Sequence, residues 1–385
     1  MALPTLKASW TAKDTPELHV GPGVLEEVGA CVAAWGIRRP LVVSDQGVAG
    51  SGWTERVVTS LRSAGLEPAE WLVWHPDPSI DVVRQCRVAY AANQHDGLVA
   101  VGGGSVIDVA KACSGLAVHP GQLTDYEGLG RFTMPGPPVF AVLTTPGSGA
   151  ELSQHAVIAD GAGRRFAVSG RWLAPRMVLA DPSTFTTLPP EVATDTVLDA
   201  MLHAIEAYLG RAASPYTDMC ARMGLGILGA AAVPAIRDGD PAANLDLVSG
   251  CLAAGIAMAN ASAGVVHALG YPLTSEYQLS HGRANALVAP AALRAVAHAA
   301  PVRYAELGRL LTPDTGASDL AASYTAMRVQ LGVTASLADY GVPYADLARL
   351  AALAIEYRPV LRNTRREFSQ AELCDLYQLA WKGQG

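Results

Sequence analysis

An apolar run from Leu98 to Val101 passes directly into Gly102, Gly103, Gly104 and Ser105, and from there into a helical period carrying Asp108 and Lys111. A strand that turns on glycines straight into a helix is the characteristic joint of a parallel, helix-covered sheet. Glycine lets the backbone approach a diphosphate closely, and a helix start presents unpaired N–H groups and the positive end of the helix dipole. The run lacks the G-x-G-x-x-G spacing, so taken alone it also fits a tight turn with no ligand. Its surroundings repeat the pattern. Strand-like runs LHVG, PLVVSD, EWLVW, GLVAVGG and PVFAVLTT alternate with helical periods GVLEEVGACVAAWG, WTERVVTSLRSAG and IDVVRQCRVAYAANQ. This alternation predicts a doubly wound α/β dinucleotide-binding domain over residues 1–188, with ligands at the carboxyl ends of its strands. Beyond Pro189 and Pro190 the pattern is helical almost throughout, with about eight helices ending at LCDLYQLAW. An all-α domain over residues 189–385 is therefore expected, with a ligand cleft between the two domains.

The 385 residues suffice for two domains, each with a substantial core. The net charge of −7 leaves no basic field and argues against a nucleic-acid partner. The six cysteines, Cys31, Cys86, Cys113, Cys220, Cys251 and Cys374, are scattered without a C-x-x-C pair and read as reduced thiols of a cytoplasmic protein. No secretory signal pattern is read at the N-terminus. From Leu247 to Tyr271 there is no charged side chain, yet the stretch is built from Ala, Gly and Ser around Asn260 and His267. It reads as a helix buried in protein, not as a membrane span.

The helical half carries a candidate metal centre. Asp199 and His203 stand at i, i+4, which stacks them on one helical face. His267 and His281 lie on later segments and can close over that pair. One carboxylate and three imidazoles suit Fe(II) or Zn(II). An isolated Asp/His pair at this spacing also fits ordinary surface or core histidine. A second loop, LTTPGSGAELSQHAVI, follows a strand as the first glycine loop does.

The motifs GGGSVIDVAK, TTPGSGAE, DAMLHAIEAY and HALGYP with HGRANAL occur in the order and at the separations of the iron-dependent (group III) alcohol dehydrogenase family, which this chain resembles from about residue 15 to its C-terminal region. The resemblance implies a metal- and NAD(P)H-dependent alcohol dehydrogenase or aldehyde reductase, a homodimer, with Asp199, His203, His267 and His281 as metal ligands. It implies that Gly103, Gly104 and Ser105 hold the cofactor pyrophosphate and that Thr144, Thr145 and Ser148 line the nicotinamide side; Asp108 is a further candidate cofactor contact, and Asp108 and Lys111 fit equally well a cap or pair within their own helix. Asp45, at the end of the second strand run, stands where a carboxylate accepts ribose hydroxyls and repels a 2′-phosphate, favouring NAD(H) over NADP(H); it also fits a turn-forming residue. Glu206 is expected in a structural salt bridge, with support of a metal ligand as the other reading.

Three departures from the family pattern bear on chemistry. Tyr271 stands where a proton-relaying histidine is common, and Arg165 where a lysine is. The C-terminal stretch carries Arg358, Arg362, Arg365 and Arg366. Tyr271, Arg165, Arg358 and Arg362 are therefore candidate catalytic residues. If Arg358 or Arg362 faces the metal, the substrate is a small anionic aldehyde, similar to that of the phosphonoacetaldehyde reductase branch, which makes 2-hydroxyethylphosphonate. In the alternative, these arginines pair with Glu356 and Glu367 at the surface. Other readings are a maleylacetate-type carbonyl reductase, a dehydroquinate-synthase-like lyase and a non-catalytic nucleotide-binding member.

Overall fold

A computed structural model describes residues 9–13, 15–73, 78–161, 164–312 and 316–384. Trp74 of the EWLVW run and the first eight residues lie outside them. The chain forms two compact units, Asp14–Leu188 and Pro189–Gly385, with the N-terminal segment belonging to the latter.

The first unit is built on a parallel sheet. Its strands are β1 (Glu17–Val20), β2 (Pro40–Asp45), β3 (Ala69–Val73) and β4 (Gly97–Gly102), then, beyond the short β5 (Gly128–Leu129), β6 (Val139–Leu143). A hairpin of β7 (His155–Ala159) and β8 (Arg165–Ser169) precedes β9 (Met177–Ala180). The six-stranded sheet runs β1-β9-β6-β4-β2-β3, every pair parallel, while β5, β8 and β7 form a small separate sheet. Every residue of β4 and β6 is buried, which is why both read as unbroken apolar runs and not as alternating ones. Helices α1 (Val24–Ala34), α2 (Gln46–Gly50), α3 (Trp53–Ser63), α4 (Ile80–Ala92) and α5 (Gly104–Ala117) connect the strands. Strand β2 lies between β3 and β4, so the chain leaves β2 outward and must return past it. The carboxyl ends of β2 and β4 flank that reversal, where such sheets bind ligands. The alternation pattern did not reveal β5, β7, β8 or β9, because these are short and β7 and β8 pair with each other, outside the main sheet.

The second unit is helical. Pro190 opens α6 (Pro190–Leu209) at its first turn, where a missing N–H costs nothing. There follow α7 (Pro215–Ile236), α8 (Pro241–Ala261), α9 (Val265–Tyr277), α10 (His281–Val296), α11 (Pro301–Leu311), α12 (Leu320–Gln330), α13 (Leu347–Ala354), α14 (Arg358–Asn363) and α15 (Gln370–Trp381). That makes ten α-helices among the described residues, against about eight expected, since α13 and α14 are short and nearly continuous in pattern. The uncharged stretch 247–271 is not one helix. It breaks at Ser262, whose φ of 66° ends α8, and resumes as α9 after Gly264. Helices α7 and α8 are long and apolar enough to cross a membrane by length and composition alone. They pack against each other and against α6 through Leu225, Leu228, Leu247, Cys251 and Ala254, all buried in the core of this unit.

Residues 9–13 depart from a first domain starting at residue 1. Lys13 donates from its backbone to Asn260 Oδ1 and from Nζ to the Ala259 carbonyl, both at 2.7 Å, and Trp10 stacks on Tyr216. These contacts fasten the segment to the helical unit.

Candidate active site

In the helical unit, α6, α9 and α10 bring Asp199, His203, His267 and His281 together. The i, i+4 pair lies on one face of α6, with His203 Nε2 3.5 Å from Asp199 Oδ2. From α9, His267 Nε2 approaches Asp199 Oδ1 to 3.6 Å. One ligating atom from each of these three side chains lies within 4.8 Å of the others, and all three residues are buried. His281, the first residue of α10, is half-buried with its ring 5.3 Å from that of His267.

The side chains behind these groups hold them in place. Glu206, one turn beyond His203, accepts from the backbone N–H of Gly264 (2.9 Å) and Val266 (2.7 Å), and its Oε2 lies 2.5 Å from His267 Nδ1. It thus satisfies open donors at the start of α9 and orients the imidazole, so of the two readings of Glu206 the structure favours support of the histidine over a structural salt bridge. A carboxylate on Nδ1 puts the proton there and leaves Nε2 as a lone pair aimed at Asp199. His267 Nε2 is buried and has no hydrogen-bond partner. An orphaned buried acceptor costs about 1–3 kcal/mol, and a metal ion would satisfy it. Burial opposes protonation of His267, but the Glu206 carboxylate outweighs this and raises its pKa. For Asp199, burial acts to raise the carboxyl, while His203, His281, His267 and the Asn285 amide together hold it below its ordinary value.

Asn285 was not foreseen. Its Nδ2 donates to Asp199 Oδ1 at 2.7 Å and lies 3.2 Å from His281 Nε2. Its position four residues after His281 within HGRAN was the available signal. The approach requires Gly270 on α9, where a Cβ would stand 1.8 Å from Asn285 Oδ1. Asn363 was missed as well: its Nδ2 donates to the carbonyls of Ala261, Ser262 and Ala263 and clasps the turn that launches α9. No local pattern could have revealed a contact across a hundred residues.

Tyr271 stacks on the His281 ring, centroids 5.4 Å apart, and packs against Tyr357. It stands beside the cluster. Arg358 and Arg362 do not reach that cluster. Arg358 is exposed and faces Glu356 at 3.8 Å. With Arg362 it lines a surface groove that also includes Arg211, Glu367 and Phe368 and none of the metal-centre residues. Arg365 and Arg366 donate to the Leu209 and Ala295 carbonyls, near the ends of α6 and α10. The arginine-rich end is thus structural and solvated, which removes the basis for assigning Arg358 and Arg362 to catalysis.

The α/β unit carries the second candidate site. Both glycine loops leave neighbouring strands, β4 and β6, at their carboxyl ends, and Thr144 N donates to Gly102 O across them at 3.2 Å. Side chains would force the loops apart. A Cβ on Gly103 would lie 3.0 Å from Thr145 Oγ1, and one on Gly104 would lie 2.9 Å from Ser148 Oγ. Gly103 caps α5, and Ser105 is exposed in the first turn of that helix. Thr144 Oγ1 is buried without a hydrogen-bond partner. At the end of β2, Asp45 Oδ1 accepts from Val48 N at 2.9 Å and caps α2. Its Oδ2 has no protein donor among the described residues.

For Asp108 the structure shows the pairing within its own helix, one of the two readings its place in the sequence allows. Its Oδ1 faces the fully buried Lys111 ammonium at 3.4 Å and its Oδ2 accepts from Val157 N at 2.9 Å. Lys111 Nζ in turn donates to Ala150 O (2.8 Å), Ser153 Oγ (3.1 Å) and His155 O. This pair staples the second glycine loop to α5. Arg165, on β8, adds positive charge near Asp108.

Glu151 lies in the same core, and burial pushes its carboxyl up to about 7. The sign of the resulting pH dependence is fixed. The unfolded chain releases this proton near pH 4.5, whereas the native state keeps it until about pH 7, so stability is full below the lower value and falls as pH rises through the upper one. The displacement corresponds to roughly 3 kcal/mol. Glu151→Gln is expected to flatten the stability profile between about pH 5 and 8. Denaturant titrations across that range check it, and profiles of equal slope for the two proteins would contradict the assignment.

Two family models match the chain. Residues 15–182 match "Iron-containing alcohol dehydrogenase" and residues 193–381 match "Fe-containing alcohol dehydrogenase family, C-terminal". The chain is 37% identical over 339 residues to 4-hydroxybutyrate dehydrogenase of Cupriavidus necator, covering 84% of this chain and 88% of that one. It is 29% identical over 380 residues to long-chain-alcohol dehydrogenase 1 of Geobacillus thermodenitrificans (strain NG80-2), covering 96% of each. A solved 1,3-propanediol oxidoreductase matches with a TM-score of 0.93 at 28% identity, covering 97% of this chain and 100% of that one. The chain is an oxidoreductase acting on CH–OH groups. It belongs to the iron-containing alcohol dehydrogenase family.

Proposed function

We propose that this enzyme reduces a small aldehyde with NADH at a single divalent metal, Fe(II) or Zn(II), held by Asp199, His203, His267 and His281. The observation that carries this reading is the buried, unpartnered His267 Nε2, oriented by Glu206 toward Asp199. When bound, the metal supplies Lewis acidity that polarises the substrate carbonyl, and the nicotinamide supplies the hydride. The chain's own contribution is positional. Glu206 and Asn285 hold His267 and Asp199 as ligands, and Tyr271, stacked on His281, is placed to deliver the proton that the new alcohol requires. Gly103, Gly104 and Ser105 hold the pyrophosphate on the first turn of α5, and Thr144, Thr145 and Ser148 flank the nicotinamide. A homodimer in the cytoplasm is part of this reading, and sedimentation of the purified protein tests the dimer.

Asp45 sets the cofactor preference through Oδ2, which accepts a ribose hydroxyl and repels a 2′-phosphate. Asp45→Gly is expected to raise the NADPH-to-NADH ratio of kcat/KM by about tenfold, equivalent to about 1.4 kcal/mol. A wild type that already prefers NADPH would remove this role.

An anionic substrate, phosphonoacetaldehyde included, is a second reading. It no longer draws on Arg358 and Arg362, and its support is the relative that acts on 4-hydroxybutyrate. A screen of NADH oxidation over propanal, longer aldehydes, succinic semialdehyde and phosphonoacetaldehyde tests both. Turnover with no aldehyde in the presence of Fe(II) or Zn(II) would contradict the reductase reading, and equal kcat/KM for charged and neutral aldehydes would remove the anionic one.

A further inference from the structure

Helix α1 packs beside β1, an edge strand of the main sheet, and the two bring three ligating side chains to one place. Glu27 and Cys31 are spaced i, i+4 on α1 and share a face. His19 on β1 meets them: its Nδ1 lies 3.9 Å from Cys31 Sγ and 3.9 Å from Glu27 Oε2. All three donor atoms lie within 4.8 Å of one another. The other ring nitrogen, Nε2, is 2.9 Å from Glu17 Oε1. A carboxylate there holds the proton on Nε2 and leaves the Nδ1 lone pair aimed at the thiol and Glu27, the arrangement that orients and strengthens a metal-binding histidine. In a tetrahedral zinc site, nitrogen, oxygen and sulfur donors stand roughly 3.3–3.6 Å apart. Small side-chain rotations of partly exposed groups close that difference.

We propose that His19, Glu27 and Cys31 form a second metal site, independent of the catalytic cluster, that takes a thiophilic divalent ion, Zn(II) foremost, with solvent completing its coordination. Thiolate with imidazole selects such an ion over Mg(II) or Ca(II). Among the described residues, the Asp199 cluster and this one are the two groups of such side chains close enough to share an ion.

The two sites are separable because the catalytic cluster contains no sulfur. Full-length protein dialysed free of loosely held metal is titrated with Co(II) and followed by absorbance. The expected result is a near-ultraviolet thiolate-to-cobalt charge-transfer band that saturates at one equivalent, persists in His267→Ala and is bleached by Zn(II). Cys31→Ser should lack the band while retaining the wild-type thermal transition, and Glu17→Gln should weaken cobalt affinity by about 10–100-fold. Absence of a thiolate band in the wild type, or its survival in Cys31→Ser, would overturn the site. Neither outcome bears on the reductase assignment.

Discussion

His267→Ala is expected to purify without tightly held metal at the Asp199 cluster and to lose turnover by about a thousandfold or more, equivalent to at least about 4 kcal/mol of transition-state stabilisation. NADH binding should be retained, because the two glycine loops proposed to hold it belong to the α/β unit. Two effects combine. One ligand in four is gone, and Glu206, still held by the Gly264 and Val266 amides, is left without the imidazole it oriented. Glu206→Gln should show the milder form, a metal affinity weakened by about 10–100-fold with turnover recovered at high metal concentration. Metal analysis, NADH fluorescence titration and steady-state kinetics on the same preparations separate these outcomes. Full activity of the His267→Ala protein in metal-free buffer would refute the ligand assignment.

The second large effect concerns stability of the α/β unit. Lys111→Met should cost about 3–5 kcal/mol, because it removes the ammonium that faces the buried Asp108 carboxylate and leaves that charge poorly compensated in the interior. It also strips the donor that joins the Ala150 and His155 carbonyls to α5. For a unit of this size, that loss lowers the melting transition by roughly 6–20 °C. The double variant Lys111→Met/Asp108→Asn should recover part of the loss, since the stranded charge goes with its partner. Calorimetry on the three proteins decides. A single variant melting within about 2 °C of wild type would mean that the buried pair is not what fastens the second glycine loop.

Much of this protein was legible as local pattern. Apolar runs ending in glycine announced β4 and its helix, the double proline announced the start of α6, and the i, i+4 spacing put Asp199 and His203 on one face, since the 3.6-residue period alone dictates that. His267 and His281 suited the same ion by residue type, but it took family resemblance to join them to that pair, because nothing local joins α9 and α10 to α6. Where a contact spans the fold, local pattern carried little: the clasp of Asn363 on the turn before α9 left no trace in it, Asn285 was marked only by its place four residues after His281, and only packing chose between the two readings of Glu206. The arginines show the same limit in reverse. A cluster of like charge reads as a recognition site, yet which way each guanidinium points is settled by the helix ends and carboxylates that packing brings within reach. Periodicity, turn chemistry and residue type reside in the chain itself, so the sequence alone determined the two architectures and the shared face of Asp199 and His203. Only the tertiary structure decided which buried polar groups are paired, because a buried donor or acceptor takes whatever partner the fold delivers, and at His267 Nε2 the fold delivers none.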